Sequence, residues 1–173
     1  MKRFFVGVII SVLYCFSMLP TVRADYVLPY PGFMPGNKLY KVSRFLDKAK
    51  EPLYFGPLSA YKYHLGLADK YLVEAKVLFE YKQYLLAVDA LARSDKEFTM
   101  LPRYLVQAGK QRKDVSLFEQ QLSEAALMHK QILEELLVQL PDTFTWTPEK
   151  SAATLLPLKD LLQSSVTIRS NVL

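Results

Sequence analysis

Two histidines, His64 and His129, and a short acidic stretch, Asp69, Lys70 and Glu74, carry the side chains that could ligate a metal or move a proton. His129 falls between Ala125 and Ile132 in a run spaced like one face of a helix. An imidazole there could ligate a metal or a haem iron inside a bundle. Bundle metal centres gather several inward-facing His and carboxylates, often as Glu-x-x-His pairs. Neither histidine has an acid three or four residues before it, and there is no Cys-x-x-Cys-His haem attachment. The pattern therefore points to a hydrogen-bonded core or boundary histidine. Asp69 and Glu74 could do acid–base work as a pair. However, Lys70 and Glu74 stand at i, i+4, the spacing of an ordinary surface ion pair. "LPDTF" (140–144) mimics a sorting signal without its glycine and reads as a helix stop and turn. No GxSxG, phosphate loop or zinc-spaced Cys/His set occurs. The expectation is a protein that is not an enzyme, with no catalytic, cofactor-binding or metal-binding residues.

Helices must position these side chains. Four segments show apolar residues at alternating three and four spacing. The first is Leu39, Val42, Leu46 and Ala49, with Asn37 as cap and Pro52 as stop. The second runs Leu58, Tyr61, Leu65, Ala68, Leu72, Ala75 and Phe79, opened by Gly56-Pro57. The third runs Tyr84, Ala87, Leu91, Ser94, Phe98, Leu101 and Leu105, with a kink expected at Pro102 and an end at Gly109. The stripe jumps between Phe79 and Tyr84, so a tight turn is expected over 80–83. The fourth runs Val115, Phe118, Leu122, Ala125, His129, Ile132 and Leu136, with a capping box at Ser116 and Glu119. Thr147-Pro148-Glu149 reads as the start of a last helix. The fold expected is all-α: an antiparallel bundle of four to five helices, preceded by an extended segment rich in proline and aromatics.

Residues 1–24 have the organisation of a secretory signal: Lys2 and Arg3, an uncharged run from Phe4 to Leu19, then Val22-Arg23-Ala24 at the cleavage site. The residue before Cys15 is Tyr14, not the small residue a lipoprotein signal needs. The expected organisation is a signal peptide over 1–24, an extended segment over 25–36 and one helical domain over 37–173. Loss of Lys2, Arg3 and Arg23 leaves 19 basic against 17 acidic residues, and the formal charge falls from +5 to +2. Net charge thus gives no case for nucleic acid as a partner, and membrane association is expected only if the signal segment stays uncleaved. The processed chain has no cysteine, so apolar packing has to hold it together in an oxidising compartment.

"MPGNKLYKVSRFLDKAKE" and "LGLADKYLVEAKVLFEYKQYLLAVDALARSDKEF" give the chain, over about residues 29–98, a resemblance to a bacterial family, the exported domain of unknown function 5667. Leu39-Tyr40 and the run Leu67 to Ala75 occupy the places of that family's helical motif. Asn37-Lys38 stands where a proline is usual, and Lys70-Tyr71 where an arginine is usual. The resemblance implies a helical fold and export, and brings no assigned activity.

"YVLPYPGFMPG" (26–36) has no helical period, and its prolines favour extended geometry. Tyr26, Leu28, Tyr30, Phe33 and Met34 are costly to leave in water, so a strap lying on the bundle is expected rather than a free ligand. The function expected is an exported interaction or structural module of the cell envelope, secreted or periplasmic, with an unidentified protein or envelope partner. The alternative is a carrier with a small apolar ligand in the bundle core.

Overall fold

The computed structural model describes residues 26–150 and 152–172. The expected signal peptide lies outside the described residues. After an extended segment come α1 (Tyr40–Lys50), a single 3-10 turn (Glu51–Leu53), α2 (Pro57–Glu80), α3 (Tyr84–Thr99), α4 (Leu101–Lys110) and α5 (Ser116–Gln139). A two-stranded hairpin, β1 (Phe144–Trp146) and β2 (Thr154–Leu156), then leads into α6 (Leu158–Ser170).

Helix α2 starts where the sequence places it. Gly56 adopts φ +83°, which few side chains tolerate, and Pro57 takes the first helical position, where a missing N–H is harmless. The turn expected over 80–83 is there, and Lys82 supplies its left-handed residue at φ +58° in place of a glycine. The N–H groups of Lys82 and Gln83 close it onto the carbonyls of Phe79 and Leu78. Helices α2 and α3 then run antiparallel. Moving away from the turn, Phe79 meets Tyr84, Ala68 meets Ser94 and His64 meets Glu97.

Helix α5 lies parallel to α2, with Tyr61 against Phe118 and Asp69 against His129. Helix α6 reverses direction again, placing its Leu158 and Leu162 with Leu136 and Leu140 of the α5 end. The architecture is the antiparallel all-α bundle that the stripes imply. Its core forms two clusters. One holds Leu72, Phe79, Leu91, Leu133 and Leu162; the other holds Tyr61, Leu65, Phe98, Leu101 and Leu122.

Four local expectations are corrected. The third stripe is not one kinked helix: it breaks at Met100, and Pro102 sits in the first turn of a new helix, α4. A proline is at home there because first-turn N–H groups have no intrahelical partner. Asp114, not Ser116, accepts at the start of α5, taking both the N–H (3.0 Å) and the hydroxyl (2.7 Å) of Ser116. No helix starts at Thr147. Residues 147–153 offer no large apolar side chain to bury, and capping alone cannot sustain a short helix. The hairpin forms instead, pairing Phe144 with Leu156 and Trp146 with Thr154.

The fourth correction concerns α1. Its Leu39, Val42 and Leu46 were expected to be buried, but they are 51%, 52% and 49% exposed, and Phe45 is 70% exposed. Only Tyr40 of this helix is buried. Polar contacts to α2 set the rotation of α1 about its axis and turn the apolar stripe outward.

Candidate functional site

Three polar constellations converge on α2. Each begins with a residue that the sequence singled out. Asp69 lies in the core rather than on the surface. Its Oδ1 accepts from Nε2 of fully buried His129 at 2.7 Å, and its Oδ2 accepts the Tyr26 hydroxyl at 2.6 Å. Burial lowers the His129 pKa, outweighing the Asp69 hydrogen bond and charge that raise it. The neutral ring donates from Nε2 and leaves Nδ1 unpartnered among the described residues. Burial beside Asp69 also pushes the Tyr26 phenol far up, so it stays a donor. His129 is thus a hydrogen-bonded core histidine, and it ties α5 and the N-terminal segment to α2.

That segment is a strap in part. Tyr26, Leu28 and Met34 pack on the two core clusters, whereas Tyr30 is 93% and Phe33 47% exposed.

Lys70 and Glu74 do not pair with each other. Lys70 reaches across to the Asp47 carboxylate and to the Ser43 hydroxyl (3.2 Å) of α1. Glu74 is fully buried and accepts the Tyr40 hydroxyl at 3.0 Å, while its Oε1 has no partner among the described residues. Burial raises the Glu74 pKa, with Tyr40, Lys70 and Arg93 pulling the other way. The Tyr63 hydroxyl donates to the Asp47 carbonyl at 2.6 Å, and burial pushes its own pKa up to about 12. These contacts bolt the polar side of α1 to α2.

Between α1, α2 and α3 lies a cleft of about 330 Å³. Arg44, Asp47, Glu51, Arg93, Lys96 and Glu97 line it with charges of both signs. His64 borders it with both ring nitrogens engaged, Nδ1 to Glu97 at 2.6 Å and Nε2 to Tyr104 at 2.9 Å, and with its ring stacked on Tyr104. A general base needs a free nitrogen aimed at a substrate, and His64 offers none. A charged lining is also a poor seat for an apolar ligand, so this cleft lends no support to a carrier. Among the described residues, no three or more His, Cys, Asp and Glu side chains are grouped to hold a metal, and no helix is long and apolar enough to cross a membrane.

Sequence reasoning passed over Arg169. It is fully buried on α6, paired with Asp95, donating to Ser94 Oγ at 2.9 Å and lying over the Phe98 ring at 5.0 Å. Its signal was its place on the row Leu158, Leu162, Ser165, Arg169, spaced four, three and four.

The outer side of α1 departs from an ordinary bundle surface. Leu39, Val42, Phe45 and Leu46 are exposed at helical spacing there, and Leu53 (69% exposed) and Phe55 (82%) follow in the chain past the helix end.

The model of a family described as Domain of unknown function (DUF5667) matches residues 32–143. The match takes in the end of the strap, α1 to α5 and the first turn beyond, well past residue 98. No curated protein and no solved structure matches the chain.

Proposed function

The chain belongs to the DUF5667 family, and on that premise we propose that it is an exported helical module of the cell envelope that works by docking. No catalytic activity is part of this reading. The observation that carries it is the inverted helix α1, whose polar side faces the protein and whose Leu39, Val42, Phe45 and Leu46 face out. A monomer gains nothing by holding such a face in water. Covering one Leu or Phe fully is worth about 1.5–3 kcal/mol, so a partner on this face would gain several kcal/mol. The signal-like organisation of residues 1–24 supports export.

The test is retention on envelopes isolated from the native host. The double variant Phe45→Ser, Leu46→Ser alters only exposed side chains and should melt with the wild type by circular dichroism. Wild-type protein should be retained and the variant released. Equal retention of the two would refute docking through α1.

A further inference from the structure

We propose that the outer face of α1 docks on an anionic lipid surface. The inference rests on the docking reading above and names the partner. Net charge gave no case for a membrane, but the charges near α1 are unevenly placed. Lys41, Arg44 and Lys48 follow one another at i, i+3 and i+7, a basic row along one flank of the apolar face. Lys38 and Lys50 bracket the helix ends, and both are exposed. The acids do not balance them. Asp47 is turned inward onto Lys70, which leaves Glu51 as the exposed acid of residues 38–51. Apolar side chains outward with a basic flank is the layout of a helix lying in the plane of a membrane interface. Leu and Phe enter the acyl boundary, and the lysine stems let their ammonium groups reach the headgroup phosphates.

The basic row beside the face matches an anionic lipid surface. Leu53 and Phe55, just past the helix end, are exposed as well. A second copy fits poorly in an antiparallel two-fold α1–α1 contact, which brings the Lys41–Lys48 row against its own like charges.

Vesicle sedimentation tests the proposal with residues 25–173, which contain both core clusters as described. The probes are vesicles of phosphatidylcholine alone and of phosphatidylcholine mixed with phosphatidylglycerol. Wild type should bind the anionic vesicles about tenfold or more tightly than the neutral ones, and added salt should weaken the binding. Lys41→Glu, Lys48→Glu should abolish the preference, and Phe45→Ser, Leu46→Ser should abolish binding, with unchanged circular dichroism in both. Equal affinity for the two vesicles, or binding to neither, overturns the lipid assignment. If vesicles are ignored while retention on native envelopes still depends on Phe45 and Leu46, a protein covers the face and the docking reading stands. If wild type is a dimer by light scattering and the Phe45/Leu46 variant a monomer, a second copy covers it. If neither vesicles nor envelopes respond to these substitutions, both readings fall.

Discussion

Burial moves the enclosed side chains Glu74 and His129 in opposite directions, and each leaves its own mark on stability. The raised Glu74 pKa means that the folded state holds a proton that the unfolded chain has already lost. Stability therefore falls as pH rises from the ordinary carboxylate value of 4.5 through the folded one. The lowered His129 pKa means that the unfolded chain takes up a proton first. Stability therefore falls as pH drops from 6.5 through the folded value. Melting temperature against pH should show both limbs. Glu74→Gln keeps an acceptor for Tyr40 and should flatten the upper limb; His129→Gln should flatten the lower one. A Glu74→Gln profile parallel to the wild type above pH 4.5 would show that Glu74 loses its proton in the fold as readily as in the unfolded chain, and that burial does not raise its pKa. Sequence spacing placed His129 in the core but misassigned Glu74. An i, i+4 pair looks the same whether it lies in water or under another helix, and α1 covers this one.

At the scale of elements, period and punctuation located α2, α5 and the turn between α2 and α3. Two kinds of information were not local. One is the rotation of α1, which depends on Glu74 and Lys70 of another helix: its period is helical whichever side faces in. The other is the break at Met100, where a proline in a continuous stripe fits both a kink and a new first turn. The strap was legible as apolar and extended, but the anchor Tyr26 finds its carboxylate 43 residues away. Deleting residues 26–36 removes that hydrogen bond together with the packing of Leu28 and Met34. The melting temperature should drop by several degrees, as expected for about 1–3 kcal/mol. Tyr26→Phe alone should account for about 1 kcal/mol of this, because it also leaves Asp69 Oδ2 short of a donor. If the deletion melts with the full chain, the strap does not dock in solution.

For the whole molecule, the all-α bundle was readable because four stripes and short connections permit few other arrangements. The outward apolar face of α1 was not, since an apolar helical stripe is read as core by default. Export adds a direct check. Protein recovered from its host should have the intact mass of residues 25–173, and a mass retaining Met1 to Ala24 would point to an anchored form. The ion pair between buried Arg169 and half-buried Asp95 spans 74 residues and bears on the order of folding. The α2–α3 hairpin closes over a four-residue-scale turn and can form early, whereas its Asp95 and Ser94 gain their cation only when α6 arrives. Arg169→Met should therefore cost about 3–5 kcal/mol at equilibrium, because it strands a largely enclosed carboxylate. Stopped-flow chevrons should place almost all of that loss in faster unfolding, with a φ-value near zero. The rate at which the native bundle comes apart would then be governed by how long α6 holds its arginine over Asp95, a kinetic latch at the far end of the chain from the outward-facing stripe of α1.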